Sequence, residues 1–238
     1  EISGVSMLRR TAHVARQVGG VEFVVATDHK DIAQHCRDND LPVVMTDPAL
    51  ASGSDRALAA ADALSFSGNI IVNLQGDAPS TVSAHVLAVS EKLRNGNADL
   101  ATPYIQLDWD GLDRLRSSKR TTPFSGTTLI ANAQGRAIWF SKNIIPAIRK
   151  EAALRETAPL SPVCRHIGLY AYRRDVLRRY TQLPPSSYEV LEGLEQLRAL
   201  ENGLTIDAVA VNPPCVAMPG IDTPEDLARA EALIKIHG

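Results

Sequence analysis

Short runs of Val, Ile and Leu alternate along the chain with longer segments in which apolar residues recur every three to four positions. The short runs predict buried strands, and the longer segments predict amphipathic helices. Alternation of the two is typical of α/β proteins in which helices cover a central sheet. We therefore expect an α/β fold whose sheet is mostly parallel.

The predicted elements follow one another closely. Helices are expected at residues 5–18, 29–39, 54–64, 81–94, 174–181, 187–202 and 224–235. Strands are expected at residues 21–26, 43–45, 69–74, 99–105, 127–131, 167–172 and 204–211. The strand at 69–74 is apolar on both faces, which indicates a central place in the sheet. Ser52 or Ser54 is the expected N-cap of the third helix, since Ser is a preferred capping residue.

The alternation stops between about residues 107 and 170. Gly, Thr and Ser cluster between residues 117 and 128, and an N-x-x-G turn is expected at 132–135. No Pro-, Gly- or Ser-rich linker is long enough to separate two domains, and no internal repeat is visible. We therefore expect one domain over residues 1–238, with an excursion from the alternating core at about 107–170.

The amino-acid composition of the chain argues against several classes of binding partner. The chain of 238 residues has 25 Lys plus Arg against 27 Asp plus Glu, a formal charge of −2, so it has no basic surplus for nucleic acid. No stretch approaches the roughly 18 apolar residues that a membrane helix requires. Three well-separated cysteines suggest neither a disulfide framework nor a zinc site. A reducing cytoplasm without membrane or nucleic-acid partners is the expected setting.

A carboxylate follows the strand at 69–74, within the run Gln75-Gly76-Asp77. In open α/β sheets the ligand crevice lies at the carboxyl ends of the strands, where Asp77 could hold a metal ion or a ribose. Asp is also a preferred helix cap, with Gly76 making the turn. The residues alone leave both interpretations open.

A second isolated carboxylate, Asp222, precedes Thr223 and Pro224. This arrangement is a complete helix start, with Asp222 or Thr223 as the cap and Pro224 at the first helical position. Two carboxylates on separate loops can also jointly hold Mg²⁺ beside phosphate oxygens. Asp77 and Asp222 are therefore the candidate metal ligands.

A polar and aromatic strand face is predicted around His166. Strand alternation places His166, Gly168, Tyr170 and Tyr172 on one face, which could line a pocket. A lone His on a strand more often has a purely structural role. Farther along, the helix at 187–202 buries a leucine stripe and turns Glu192, Glu195 and Gln196 elsewhere, which usually indicates a solvated face.

Seven segments, taken together and in this order, resemble the CMP-KDO synthetases (3-deoxy-manno-octulosonate cytidylyltransferases) of the sugar nucleotidyltransferase superfamily. They are VVATDHKDIA (24–33), SGSDR (52–56), IVNLQGDAP (71–79), WFSKNIIPAIR (139–149), RHIGLYAYRRDVL (165–177), LEGLEQLRALENG (191–203) and GIDTPEDLARAEALI (220–234). The resemblance implies a Rossmann-like nucleotidyltransferase fold.

The implied reaction transfers CMP from CTP to the anomeric hydroxyl of an acidic 2-keto-3-deoxy sugar and releases pyrophosphate, for lipopolysaccharide biosynthesis. By resemblance, Asp77 and Asp222 hold the catalytic Mg²⁺ ions. The residues implied on the nucleotide side are Ser52, Gly53, Arg56 and Gln75. The residues implied at the sugar are Lys142, Arg149, His166, Tyr170, Glu195 and Gln196.

Three positions depart from the family pattern. Lys142 stands where most members have Arg, which alone offers bidentate recognition of a carboxylate. Thr128 and Asn132 replace a Lys and an Asp of the usual V-K-V-V-x-D-G segment. These departures leave room for a variant sugar such as an amino-substituted KDO.

Three further expectations come from the resemblance. The excursion at about 107–170 forms a homodimer contact in the family, so a homodimer is expected here. An N-terminal strand and a loop of the type R-x-x-S-x-R-x-P-G-K are expected to precede Glu1. Two alternatives to KDO activation remain, namely synthesis of CMP-sialic acid or another nonulosonate, and a non-catalytic paralogue that binds a nucleotide, a sugar or a partner.

Overall fold

The computed structural model describes residues 1–2, 4–76 and 81–213. The helices in this part are Met7–Gln17 (α1), Lys30–Asp38 (α2), Gly53–Ala63 (α3), Ser83–Asn95 (α4), Trp109–Ser118 (α5), Glu151–Thr157 (α6), Arg174–Tyr180 (α7), Ser187–Glu192 (α8) and Gln196–Glu201 (α9). The strands are Val25–Thr27 (β1), Val43–Met45 (β2), Ile70–Leu74 (β3), Leu100–Asp108 (β4), Thr128–Ala131 (β5), Ala137–Ser141 (β6), Leu160–His166 (β7), Leu169–Arg173 (β8) and Ile206–Ala210 (β9). The expected final helix at 224–235 lies outside the described residues.

The described strands form two sheets. A seven-stranded sheet has the order β3-β8-β4-β7-β5-β6, with β9 also paired to β4. The β4–β9 pair is parallel, whereas the other pairs in this sheet are antiparallel. A separate two-stranded parallel sheet joins β1 to β2.

The expectation of a mostly parallel sheet is therefore wrong for the main sheet. Helical crossovers between successive strands favour parallel neighbours, and that rule produced the expectation. Here β8, which ends the excursion, lies between β3 and β4 and runs antiparallel to both. Hydrophobic periodicity reports burial of a strand and not the identity of its neighbours.

Among the described strands, β3 lies at one end of this sheet and not at its centre. Its apolar character has another cause, because α3 packs on one face and α4 on the other. Helical cover on both faces thus gives an end strand the composition expected of a central one.

The excursion is more regular than its composition suggested. It contains α5, β5, β6, α6 and β7. The expected strand at 167–172 begins instead at Leu169, after a turn that separates it from β7. Strand β7 was missed because its sequence, LSPVCRH, shows neither a continuous apolar run nor a clean alternation.

The two faces of the sheet carry separate cores. One core packs Ile71, Tyr170 and Tyr172 against helices α3, α7 and α9. The other packs Leu169 and Ala171 against α1 and α4. The predicted alternation along β8 is confirmed, because alternate residues enter different cores.

The helix expected at 187–202 is divided in two. Gly193 has a φ of 61° and ends α8 in the left-handed region, where a residue without a Cβ is favoured. Helix α9 then starts at Gln196, with Glu195 as its cap. The break places Glu195 and Gln196 at the start of a new helix. None of the helices in the described part of the chain is both long and apolar enough to span a bilayer.

Candidate active site

The candidate site lies on the sheet face that α3 and α9 cover. Asn73 and Tyr170 are register partners across β3 and β8, and His166 is the partner of Tyr104 across β7 and β4. The ring centroids of His166 and Tyr170 are 5.5 Å apart. Polar side chains of four adjacent strands therefore meet on one face, and His166 and Tyr170 share it as the alternation predicted.

His166 is held in one orientation by Thr102. Its Nε2 lies 2.8 Å from the hydroxyl of Thr102, which itself donates to the carbonyl of Leu169 at 2.8 Å. Since that hydroxyl proton is used, Thr102 accepts from Nε2–H, and Nδ1 is left as an acceptor. An Nδ1 acceptor in this position suits a substrate hydroxyl.

Burial keeps the His166 ring neutral. Desolvation lowers the pKa of His166 to about 3, and the positive charge of Lys142 acts in the same direction. The edge of Phe140 also packs on the ring, with centroids 5.2 Å apart. His166 is therefore a neutral hydrogen-bonding group at ordinary pH, and not a cation for an acidic ligand.

Tyr170 belongs to a buried row of aromatic rings. Tyr170 and Tyr172 have centroids 6.0 Å apart, and Tyr172 and Tyr180 have centroids 5.9 Å apart. Burial raises the pKa of Tyr170 well above its usual value, so its hydroxyl stays protonated. Tyr170 can provide a rigid wall and a neutral polar group, but no charge.

Glu195 and Gln196 reach this face from the start of α9. One carboxylate oxygen of Glu195 accepts from the Ser54 hydroxyl at 3.3 Å, and Ser54 also lies 3.2 Å from the hydroxyl of Tyr172. Tyr180 donates to the Glu195 carbonyl at 2.8 Å. These contacts connect the helix that carries the predicted sugar ligands to α3 and β8.

Several polar atoms here are buried without a hydrogen-bond partner among the described residues. They include Asn73 Nδ2, Glu195 Oε1 and Gln196 Nε2. Leaving such a group unpaired costs about 1–3 kcal/mol. A ligand with several hydroxyls offers both donors and acceptors for groups of this kind.

The predicted nucleotide-side residues Ser52 and Gly53 form the start of α3. Ser52 is the N-cap, and its hydroxyl oxygen accepts from the amide of Asp55 at 3.2 Å. A Cβ on Gly53 would lie 3.3 Å from Asn73 Nδ2. The glycine therefore lets α3 begin directly against the Asn73 side chain.

Arg56 is already engaged in contacts within the protein. It donates to the Thr46 hydroxyl at 2.5 Å and forms an ion pair with Asp28 at 3.1 Å. The structure thus places Arg56 where it ties α3 to the ends of β1 and β2. A nucleotide would compete with Asp28 for the guanidinium.

Gln75 follows β3 and lies beside the β7–β8 turn. A Cβ on Gly168 would be 3.1 Å from Gln75 Oε1, which is closer than most Cβ contacts. The absence of a side chain at Gly168 leaves room for Gln75. The predicted nucleotide-side Gln75 and sugar-side His166 therefore flank the same turn.

The two predicted basic residues differ in their surroundings. Lys142 follows β6, and its amide donates to Glu192 Oε2 at 2.7 Å. Arg149 is exposed in the turn before α6, and within the described part of the chain it has no hydrogen bond or ion pair. The structure brings Lys142 near His166 but connects Arg149 to none of the predicted site residues that lie within the described ranges.

The predicted metal ligands Asp77 and Asp222 both lie outside the described residues. Within residues 1–2, 4–76 and 81–213, no group of three or more His, Cys, Asp or Glu side chains is arranged to hold a metal ion. Gln75 and Gly76, which precede Asp77 in the sequence, follow the end of β3.

The structure adds residues that the sequence analysis did not predict to belong to the site. Ser54, Asn73 and Thr102 contact predicted site residues, and Lys119 and Glu192 hold the main chain at Lys142. Asn73 could have been found by alternation, because it shares a strand face with Gln75. The other four become visible only when distant segments are brought together.

Comparison with known proteins agrees with the fold and the motifs. A cytidylyltransferase family model matches residues 1–206. A 3-deoxy-manno-octulosonate cytidylyltransferase of Maricaulis maris (strain MCS10) is 39% identical over 241 residues, covering 100% of this chain and 90% of the relative. A protein of the same description from Xylella fastidiosa (strain Temecula1) is 39% identical over 237 residues, covering 98% and 90%.

Comparison with solved structures also identifies a cytidylyltransferase as a similar protein. The structure of a CMP:2-keto-3-deoxy-manno-octonic acid synthetase complexed with CTP has a TM-score of 0.82 and 31% identity, covering 99% of this chain and 90% of that chain. A 4-diphosphocytidyl-2C-methyl-D-erythritol synthase from Anaerococcus prevotii, at 12% identity and a TM-score of 0.59, shares the fold alone. The chain therefore belongs to the cytidylyltransferase family of enzymes, and within it to the 3-deoxy-manno-octulosonate cytidylyltransferases that its motifs indicated.

Proposed function

We propose that this enzyme transfers CMP from CTP to the anomeric hydroxyl of 3-deoxy-manno-octulosonate (KDO) and releases pyrophosphate, as a step in lipopolysaccharide biosynthesis. The observation that carries the proposal is the match, over essentially the whole chain, to relatives described by this activity. The polar face around His166 supports it, since KDO is a polyol that requires paired donors and acceptors.

The reaction is a nucleotidyl transfer in one displacement. The anomeric oxygen of the sugar forms a bond to the α-phosphorus of CTP, and the bond from that phosphorus to the bridging oxygen of the β-phosphate breaks. The hydroxyl proton is released, and pyrophosphate leaves with the electron pair. Catalysis of this kind rests on orienting two anions and neutralising their charge.

The nucleotide side of the site is formed by the start of α3 and the end of β3. Ser52 and Gly53 would present the first turn of α3 to the nucleotide, and Gln75 would contact the base or ribose. Arg56 would contribute positive charge after exchanging Asp28 for a phosphate oxygen. The glycine at 53 supports this arrangement, because it allows close approach of the backbone.

The sugar side is formed by β7, β8 and α9. His166 would accept a hydrogen bond from a sugar hydroxyl at Nδ1, Tyr170 would form the wall, and Glu195 with Gln196 would pair with further hydroxyls. The positive charge near the sugar carboxylate would come from Lys142, with Arg149 reaching in from its turn. The unpaired polar atoms of Glu195 and Gln196 support this assignment.

Mg²⁺ is the proposed cofactor, held by Asp77 and Asp222. When bound, it would neutralise the negative charge of the triphosphate. Hard carboxylate oxygens are the ligands that Mg²⁺ prefers. Calorimetry of Mg²⁺ binding tests these ligands independently of activity. Mg²⁺ should bind to the wild type, and Asp77→Asn and Asp222→Asn should each weaken that binding.

The substrate assignment is tested by pyrophosphate release from CTP with a panel of acidic sugars. KDO, 8-amino-KDO and N-acetylneuraminate would be compared at equal concentrations, with UTP and ATP as nucleotide controls. KDO with CTP is expected to give the highest kcat/KM. Faster turnover of N-acetylneuraminate would favour the nonulosonate alternative, and a preference for 8-amino-KDO would assign the departures at Lys142 and Thr128 to sugar selection.

A homodimer through the excursion is also proposed. Strand β6 lies at an end of the described sheet, and Tyr188 of α8 packs its ring edge on Trp139 of β6 at 5.0 Å. On these two elements Ile138, Val190 and Leu191 are 55%, 69% and 79% exposed, and a dimer would cover such apolar side chains. Light scattering should give twice the monomer mass, and Leu191→Glu should shift it toward the monomer.

The cytoplasm is the proposed compartment. Cys36 and Cys164 are free thiols in the structure, as reducing conditions would maintain them. Fractionation of cells that express the full-length protein would test this assignment, with activity expected in the cytoplasmic fraction.

A further inference from the structure

Lys119 is a half-buried lysine whose ammonium group is surrounded by main-chain carbonyls. Its Nζ lies 3.2 Å from the carbonyl of Pro123, 2.5 Å from that of Ser125 and 2.9 Å from that of Gly126. A fourth carbonyl, that of Lys142, is 2.5 Å away. Three ammonium protons thus serve four acceptors, so Lys119 has no donor left for a ligand.

The side chains of Lys119 and Glu192 hold the main chain of Lys142 from two sides, and we call this arrangement the clamp. The Lys142 carbonyl accepts from Lys119, and the Lys142 amide donates to Glu192 Oε2 at 2.7 Å. Glu192 Oε1 also accepts from the Ser141 hydroxyl at 2.8 Å. Charge-assisted hydrogen bonds of this type are stronger and more directional than neutral ones. Both main-chain polar groups of Lys142 are therefore fixed by charged side chains.

Thr128 holds the residues that follow. Its hydroxyl donates to the Asn143 carbonyl at 2.7 Å and accepts from the Ile145 amide at 3.1 Å. Hydrogen bonds fix the main chain on both sides of Lys142, whereas its side chain makes no hydrogen bond or ion pair with the residues that the structure describes. The clamp thus defines where the Lys142 ammonium can reach.

The clamped segment lies beside His166. Phe140, two residues before Lys142, packs its ring edge against the imidazole, and the positive charge of Lys142 acts on that ring. Lys142 and Arg165 place positive charge near Lys119, and Glu192 places a negative charge there. Within the described residues Arg165 has no carboxylate partner. The cluster of Lys119, Lys142, Arg165 and Glu192 is thus net positive, as a site for an anionic group requires.

We propose that Lys119 is a positioning residue for recognition of the acidic group of the sugar, acting through the main chain of Lys142. Lys119 itself does not contact the substrate, because its protons are used by carbonyl groups. This inference rests on the proposed function, since it assigns Lys142 to the sugar carboxylate. It explains a buried charge that the nucleotidyl transfer does not otherwise use.

The test is a double-mutant cycle with Lys119→Met and Lys142→Met. Met removes the ammonium and keeps the length of the side chain. For Lys119→Met we expect the KM for the sugar to rise about tenfold. We expect kcat and the KM for CTP to stay within about twofold of wild type, because the change weakens sugar binding and leaves the chemical step unchanged. The double variant should be no worse than Lys142→Met alone, because Lys119 acts through Lys142.

Lys92→Met is the matched control, since Lys92 lies on α4 and contacts Asp207 at 4.0 Å. Its KM values should equal those of wild type. Lys119→Arg, which keeps a charged donor, should restore part of the sugar affinity. If Lys119→Met does not fold, as judged by circular dichroism, Lys119→Gln decides by the same criteria.

Three results would overturn the inference. They are an unchanged sugar KM in folded Lys119→Met, an equal loss toward CTP and sugar, and additive effects in the cycle. Failure of the proposed function gives a different result, because wild type would then not turn over KDO. If wild type uses another acidic sugar, the cycle is measured with that sugar and tests the clamp alone.

Discussion

Arg198 and Glu189 form a two-pronged ion pair inside the packing of α9 against α8. Arg198 Nε donates to Glu189 Oε2 at 2.8 Å and Nη2 donates to Oε1, with both side chains about 90% buried. The guanidinium carbon also lies 5.0 Å from the ring centroid of Tyr180. The pair holds together the two helices on either side of Gly193, and so fixes the position from which Glu195 enters the site.

Replacing Arg198 by Met should destabilise the protein strongly. Loss of one partner leaves the Glu189 carboxylate buried without compensation, which costs about 3–5 kcal/mol. Urea unfolding followed by fluorescence would measure the change. The double variant Glu189→Met/Arg198→Met should recover much of the loss, because neither charge is then buried alone. A single variant as stable as wild type would contradict the prediction.

Glu151 should make part of the stability sensitive to acid. Hydrogen bonds from Arg116 and Arg155 lower its pKa from 4.5 to about 2. The unfolded chain therefore binds a proton that the native protein does not, and this stabilisation, complete above about pH 4.5, is lost as the pH falls toward 2. The free energy of unfolding should fall less steeply over this range in Glu151→Gln than in wild type.

Glu156→Gln is the control for that experiment. Glu156 is an exposed carboxylate of the same helix, α6, and forms no ion pair within the described residues. Its variant should keep the pH slope of wild type. Equal slopes in Glu151→Gln and wild type would show that the contacts with Arg116 and Arg155 do not stabilise the fold.

His166 should remain neutral throughout the pH range of activity. With a pKa of about 3, its imidazole does not titrate near pH 6.5. Its ring-proton NMR resonance, assigned by its loss in His166→Gln, should stay constant from pH 8 to pH 5. A midpoint between pH 6 and 7 would contradict the burial argument.

The same depressed pKa has a consequence for stability. Below about pH 6.5 the unfolded chain protonates this histidine while the native protein does not, so His166 destabilises the fold increasingly as the pH falls toward 3. His166→Gln should remove this part of the pH dependence. Unfolding measured at pH 7 and pH 5 would show a smaller difference in the variant than in wild type.

Gly168→Ala should weaken CTP binding selectively. The added Cβ would lie 3.1 Å from Gln75 Oε1, so Gln75 must move away from the β7–β8 turn. We expect the KM for CTP to rise severalfold, because moving Gln75 weakens its contact with the nucleotide while the protein stays folded. Gln75→Ala should show a comparable rise, and the two changes together should not add. An unchanged KM for CTP in both variants would remove Gln75 from the nucleotide site.

Local features were well predicted from the sequence. Ser52 caps α3 as its residue type indicated, β2 begins and ends at the expected residues, and the alternation around His166 places Tyr170 on the face that also holds Asn73. These features depend on neighbours in the sequence, through capping hydrogen bonds and the two-residue repeat of a strand.

Features that depend on distant contacts could not be predicted in this way. The order of the strands is determined by pairing between segments far apart, and no periodicity encodes it. Lys119 resembles any lysine in a polar loop until its four carbonyl partners are brought together. The sequence suggests that Arg56 is an unpaired cation, and only the fold shows that Asp28 forms an ion pair with it.

The place of β8 between β3 and β4 also constrains how the chain folds during synthesis. Strands β3 and β4 follow one another in the sequence, yet both are hydrogen-bonded to β8, which is made only after the whole excursion. A nascent chain that ends before Leu169 therefore exposes two apolar strands without the strand that joins them. Pairing across such a sequence separation is slow and leaves strand edges open to aggregation. We therefore expect β3 and β4 to be joined in one sheet only late in synthesis, once β8 has been made.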